Sequence, residues 1–255
     1  MNNTMEVSKI AKDKVSVFTE YFGLIADDEE GTLIYGFENI SQARSKGYFN
    51  MKDPGGIFGY VDKGELSFQF LGKTVTVTEG FWFSCPGATE FLFLGDAYRV
   101  SMWQRQDYDG LMSMGFVEPA GRLEYIDDCH DSMLHHPIKF GEPCLNALYM
   151  PQGVLQTRHT HPSTRSGFII HGGARCETPN QDIQLESGMI FFLPTDVEHN
   201  FRSDHGENIT MKLVAYHPDS DFGATDEVHP MINRTIVDGI SAANLPDIQT
   251  GRLRE

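Results

Sequence analysis

The chain has 255 residues, 40% of them hydrophobic and 18 of them Phe. That is enough for one large domain or two of roughly 100–150 residues, each with a real core. Acidic side chains outnumber basic ones by 36 to 20, a formal net charge of −16, so the surface repels phosphate backbones and anionic membranes, and neither nucleic acid nor membrane is an expected partner.

The first residues, MNNTMEVSKIAKDK, hold no apolar signal core, and no run long enough to span a bilayer follows. A soluble, cytoplasmic protein is the expectation. Cys85, Cys129, Cys144 and Cys176 are scattered and form no Cys-x-x-Cys pair, so they read as buried thiols in a reducing compartment.

Residues 1–46 read as an N-terminal extension in which VSVFTEYFGLI begins the fold and DDEEG is an exposed turn. From residue 47 to 106 the pattern changes to short apolar or alternating runs (GIFGYV, ELSFQFL, KTVTVTEG, GFWFSCPG, EFLFLG, YRVSMWQR). Their spacing, with Gly, Pro and Asp between them, predicts an all-β sandwich or barrel. Residues 107–140 are less regular and are assigned to a connection, with His135 and His136 as linker residues. From 141 to 217 the β pattern resumes, and 218–255 is a tail. Its acid-rich start, HPDSDFGATDEVHP, lacks the register of a calcium-binding hand and reads as a solvated or lid-like loop.

Segments 59–91 and 167–201 echo each other, with Gly-aromatic, a β-run, a Gly turn, an aromatic strand and a Pro in each. A repeat at a spacing of about 110 residues is too long for a solenoid and fits two small barrels. The first copy lacks His where the second has it, and Phe91 stands near the place of His199. Trp82, Trp103 and many Phe are expected to fill the first barrel, leaving it a structural partner.

The chemistry concentrates in RHTHPSTRSGFIIHGG, residues 158–173, and LPTDVEHNF, residues 193–201. A strand has a side-chain period of two, so His159 and His161 leave the backbone on one face. His199 begins the next strand. Three neutral imidazoles from neighbouring strands make an open site for a first-row transition metal. Leu155 and Thr157 share the parity of the His pair and are expected to line the cavity, with Arg158 turned outward. Phe168, Ile170 and Phe192 are either cavity wall or plain core. His171, before a Gly-Gly turn, reads as solvent-facing, and strand parity turns Glu198 outward. His217 shares parity with Met211 and Leu213, which aims it at the barrel mouth as an acid–base group or leaves it a structural His bonded to a loop carbonyl.

At these residues the chain resembles the cupin superfamily. The spacing Gly153, His159, His161, Gly172 fits the family's first motif, and Gly188, Pro194, His199 fits the second, with Asp196 in place of a Gly and Ser203 in place of an Asn. The resemblance implies two double-stranded β-helix (jelly-roll) barrels in one chain, a bicupin, the first empty and the second metallated. It implies His159, His161 and His199 as ligands. The fourth family ligand, a Glu, falls at Arg165 or Ser166, and a guanidinium cannot bind a cation.

Three-His cupin sites resemble those of Fe(II) dioxygenases of the gentisate type. This implies Fe(II) as the metal, with Mn, Zn, Ni or Cu as alternatives, and a non-haem dioxygenase that cleaves a carbon–carbon bond in a small hydroxylated aromatic acid or enolisable dicarbonyl. Without a carboxylate ligand the site keeps its full positive charge and favours a small anionic chelating substrate. Arg165 either holds that substrate's carboxylate or is a surface residue of a Pro-Ser-Thr turn. The alternatives are a redox-neutral metal-dependent isomerase, lyase or hydrolase on a small acid, and a non-enzymatic small-ligand-binding cupin. Cupins commonly pair barrels, so a homodimer is a further expectation.

Overall fold

The computed structural model describes residues 8–39, 47–51, 54–203, 211–225 and 227–250. Among these the chain is nearly all β, and its helical turns are three short 3₁₀ segments in the tail. No helix is long and apolar enough to cross a membrane.

The first ten strands are β1 (Ser8–Lys9), β2 (Ser16–Phe18), β3 (Phe22–Asp27), β4 (Thr32–Asn39), β5 (Gly47–Asn50), β6 (Gly56–Phe70), β7 (Lys73–Thr78), β8 (Phe81–Pro86), β9 (Glu90–Arg105) and β10 (Ser113–Phe116). All but β2 join one nine-stranded sheet in which β6 and β9 pair over most of their length. At 15 and 16 residues these two are far longer than an ordinary strand. They bend where the register slips between Val61 and Glu65. Gly64 supplies the bend with φ of +75°, and a Cβ there would meet the Ala97 and Leu94 carbonyls at 2.6 and 2.7 Å.

The later strands are β11 (Leu123–Glu124), β12 (His130–His135), β13 (Cys144–Met150), β14 (Arg165–His171), β15 (Gly173–Glu177), β16 (Asp182–Glu186), β17 (Ile190–Leu193), β18 (Asn200–Arg202) and β19 (Met211–His217), with β20 (Ile236–Val237) and β21 (Ile240–Ser241) as a hairpin in the tail. A seven-stranded sheet runs β11-β12-β13-β19-β14-β17-β2, and a three-stranded sheet runs β16-β15-β18. Residues assigned to the extension thus supply β3 and β4 to the first sheet and β2 to the second, where Val17 pairs with Phe191. Residues assigned to the connection supply β10, β11 and β12.

The repeat seen in sequence has a structural counterpart. Gly59 of β6 sits opposite Phe83 of β8, and Gly167 of β14 opposite Phe191 of β17. In each case a Cβ on the glycine would meet the phenylalanine ring at 2.4 to 2.6 Å, so a bare backbone is what lets the ring lie flat on the strand.

Strand alternation sorts the side chains into three cores. Ile57, Phe68, Phe83, Phe91 and Phe93 fill the first half, and Ile169, Leu185, Phe191, Phe201 and Leu213 fill the second. Between them lies a third, with Phe58, Tyr60, Trp103, Phe168, Ile190, Phe192, Val214 and Tyr216. Phe168, Ile170 and Phe192 therefore belong to the seam between the halves and not to a cavity wall. Trp103 and Trp82 are also at the seam, which corrects their expected place inside the first barrel. The Trp103 indole donates to Ser166 Oγ at 2.8 Å, and Ser166 Oγ donates to the Phe191 carbonyl at 2.8 Å. The Tyr21 hydroxyl donates across the seam to the Gly188 carbonyl at 2.8 Å.

His135 is likewise not a linker residue. It ends β12 with 2% exposure, shares a 2.8 Å hydrogen bond with Ser113 Oγ and packs edge-on against Phe58. Burial pushes its pKa down from 6.5 to about 4. The folded chain therefore holds it neutral where the unfolded chain protonates it, and unfolding takes up a proton between these values. Stability is expected to fall as pH falls from 6.5 toward about 4, and His135→Phe should flatten that slope in urea titrations across the window.

Candidate metal centre

The segment from Val154 to His161 is not a regular strand, yet it runs antiparallel to residues 196–203. Gln156 N–H donates to the Phe201 carbonyl at 3.0 Å, and His159 and His199 exchange both backbone bonds at 2.9 Å. Asp196 N–H closes the ladder on the His161 carbonyl at 2.9 Å. This pairing places His159 directly opposite His199.

The three imidazoles converge. Their ring centroids are 4.6 to 5.1 Å apart, and one ring nitrogen from each lies within 4.8 Å of the other two. Among the described residues this is the one cluster of its kind. His159 Nδ1 bonds to the Thr157 carbonyl at 2.8 Å and His199 Nδ1 to the Val197 carbonyl at 2.9 Å. A carbonyl only accepts, so both Nδ1 atoms carry the proton and both Nε2 lone pairs are free for a metal. Burial, with Arg165 and the other two rings, pushes His161 down to about 3. Burial pushes His199 down to about 4 against the opposing Val197 bond. These two rings are neutral at neutral pH and need shed no proton to ligate. The donor set, its tautomers and its charge all fit a dipositive first-row ion.

The motif glycines Gly153, Gly172 and Gly188 have φ of +78°, +67° and +91°. Asp196, in the place of a family glycine, has φ of +59°, a conformation that a short polar side chain tolerates. Ser203, in the place of an Asn, is buried and bonds the Pro151 carbonyl and the Val154 N–H at 2.9 Å, which anchors the loop that carries the His pair.

A cavity of about 110 Å³ opens on the cluster. One wall is a single face of the seven-stranded sheet, with Asp131 from β12, Asn146 and Leu148 from β13, Leu213, Ala215 and His217 from β19, Arg165 from β14, and Phe191 and Leu193 from β17. The three imidazoles, Gln156 and Phe201 complete it, with Tyr125. A second cavity of about 300 Å³ shares Asn146, His161, Arg165 and His217 with the first, and Asp219 to Phe222 of the acid-rich loop wall it.

Arg165 is thus on the cavity wall. Its guanidinium donates to the Thr164 carbonyl at 2.9 Å and pairs with Asp219 at 3.7 Å, while its Nε is buried without a partner. His217 lines both cavities, and its Nε2 bonds to Asn146 Oδ1 at 2.8 Å, a side-chain amide and not a loop carbonyl. Burial, Arg165 and His161 hold His217 well below its ordinary pKa. Glu198 and Arg158 are exposed, as parity predicts, and so is His171 before its Gly-Gly turn.

Leu155 and Thr157 do not line the cavity. Leu155 is 60% exposed, and Thr157 N–H bonds to Asp127 at 2.6 Å. The segment is too irregular for parity counted back from His159 to hold, and Gln156 takes the inward position. Asp131, Asn146 and Gln156 are the polar lining residues that the sequence reading missed. Asn146 had a signal: it is the lone polar residue in the apolar run Cys144–Met150.

The sequence matches the AraC-like ligand binding domain family over residues 149–245. No curated protein sequence matches it. Solved structures do. A cupin 2 conserved barrel domain protein from Leptotrichia buccalis superposes with a TM-score of 0.54 at 12% identity, covering 84% of this chain and 97% of its own. AerE from Microcystis aeruginosa gives 0.55 at 16% identity, covering 73% and 87%. Salicylate 1,2-dioxygenase from Pseudoaminobacter salicylatoxidans, in its adduct with gentisate, gives 0.52 at 10% identity, covering 74% and 68%. The likeness is one of fold, and with the two motifs and the convergent imidazoles it identifies the chain as a protein of the cupin fold that carries a three-histidine cluster.

Proposed function

We propose that the chain is a non-haem Fe(II)-dependent dioxygenase that cleaves a carbon–carbon bond in a small hydroxylated aromatic acid or enolisable dicarbonyl. The observation that carries this reading is the convergence of three imidazoles with no carboxylate in the cluster, facing a cavity whose wall holds a half-buried arginine. The likeness in fold to a salicylate dioxygenase supports it. Iron bound by His159, His161 and His199 would supply Lewis acidity and redox chemistry. The chain's own residues do the rest. Arg165 binds and orients the substrate carboxylate, whose negative charge offsets the positive charge that three neutral ligands leave on the ion. Leu148, Phe191, Leu193 and Leu213 exclude water and strengthen that contact. His217, held by Asn146, presents an imidazole to the reacting molecule. The four buried free thiols fit a reducing compartment, so we place the protein in the cytoplasm.

A redox-neutral isomerase, lyase or hydrolase is the second reading, favoured by one observation. Asn146 bonds both the His217 imidazole and the Asp131 carboxylate, so it orients two titratable groups on the cavity wall that can serve as acid and base. The match to a ligand binding family supports small-molecule binding on either reading.

Anaerobic loading with Fe(II), Mn(II) or Zn(II), followed by an oxygen electrode and a panel of chelating phenolic acids and diketones, separates the two. Oxygen uptake with iron alone is expected, and no uptake with any of them overturns the dioxygenase reading. His199→Ala should weaken metal binding by more than the roughly 10–100-fold that loss of an outer partner costs, read by competition with a chromophoric chelator. Arg165→Leu should raise KM about ten-fold or more through loss of a charge-assisted bond, and an unchanged KM removes Arg165 from the substrate.

A further inference from the structure

Asp131 is a carboxylate in an unusual place. It is 9% exposed and lies on the cavity face of β12, where it pairs with Leu148. Its Oδ2 accepts from Asn146 Nδ2, and its Oδ1 is buried with no partner. Burial pushes its pKa up to about 6, opposed only by the Asn146 bond. Buried polar atoms are nearly always hydrogen-bonded, so an unpaired oxygen on a residue that lines a cavity marks a group that a bound molecule can complete. Arg165 Nε has the same standing in the same cavity. The two charges do not cancel each other. Arg165 pairs with Asp219, and in the strand order β12-β13-β19-β14 Asp131 and Arg165 stand three strands apart; Asp131 is level with Leu148, Leu213 and Ile169, so Arg165 lies a further four residues along the sheet.

A cavity with an unpaired guanidinium N–H at one end and an unpaired carboxylate oxygen at the other selects a molecule with the converse groups. We propose that Asp131 is a substrate-binding residue, whose free Oδ1 accepts a hydrogen bond from a hydroxyl or ammonium group at the end of the substrate remote from the carboxylate that Arg165 holds. The substrate class is then a small hydroxy- or amino-carboxylic acid whose donor is separated from its carboxylate. This deepens the reading of the same cavity and rests on Arg165 as its carboxylate anchor, but not on the identity of the metal. Asn146 orients Asp131 by occupying its other oxygen, and the same amide links it to His217.

The test uses the full chain loaded with Co(II) and calorimetric titration with matched acids: 3-hydroxypropanoate against propanoate, 4-aminobutanoate against butanoate, and 3-hydroxybenzoate against benzoate. At least one donor-bearing acid is expected to bind about ten-fold or more tightly than its parent, the worth of a hydrogen bond to a charged acceptor. Asp131→Leu should abolish that preference while leaving affinity for the parent acid unchanged. Asp131→Asn keeps an acceptor oxygen, should retain part of the preference, and serves where the leucine variant does not fold. Full wild-type preference in the folded leucine variant, or in the asparagine variant if leucine does not fold, overturns the assignment. So does a wild type that binds none of the acids or binds each pair alike. If Arg165→Leu then weakens both members of every pair, the carboxylate anchor stands and Asp131 alone falls. A chain that shows no Co(II) absorption band yet separates the pairs through Asp131 keeps the assignment and overturns the metal centre.

Discussion

One sheet carries both the fold and the site. Along β14, β17 and β19 successive side chains alternate between two environments. Phe168, Ile190, Phe192, Val214 and Tyr216 turn to the seam with the first half, and Ile169, Phe191, Leu193, Leu213 and Ala215 turn to the second core and its cavity. A period of two admits no exceptions within a regular strand, so a one-residue slip would exchange seam for cavity along the whole strand. The register is held where the two faces meet in one residue. Ser166 takes the Trp103 indole from the seam side and donates to the β17 backbone.

That rigid face explains why the polar groups of the cavity come from distant parts of the chain yet form one surface. Asp131, Asn146, His217 and Arg165 sit on four adjacent strands. Backbone ladders fix their relative heights, so their geometry does not depend on loop conformation. The imidazoles are held differently. They come from a less regular ladder, but the paired bonds of His159 with His199 and the carbonyl bonds of both Nδ1 atoms set ring position and tautomer together. The first half contributes no ligand. It supplies the seam against which the cavity-bearing sheet packs, leaving the sheet's other face to the cavity.

Much of this was legible in the residues. Motif spacing located the three imidazoles, because His-x-His and a His five residues past a Pro reflect backbone pairing that sequence separation alone can encode. The parity of His217 with Met211 and Leu213 held because β19 is regular. Parity failed at Leu155 and Thr157, where the backbone leaves strand geometry before the His pair. The place of Phe168 and Phe192 was not readable, since an apolar strand packed on both faces shows no alternation of type. Asp131 was hidden for another reason. It lies on a six-residue strand within an irregular, polar stretch, and nothing local distinguishes a carboxylate facing a cavity from one facing water.

The short strand β2 has a consequence for how the molecule is made. Ser16 to Phe18 pair with Ile190 to Phe192, across more than two-thirds of the chain. Residues early in the sequence thus complete a sheet whose other members follow much later, and Ser16 to Phe18 stay unpaired until β17 is made. Closing so long a loop is entropically slow. This sheet is therefore expected to close only after β17 has been made, with Ser16 to Phe18 acting as the latch.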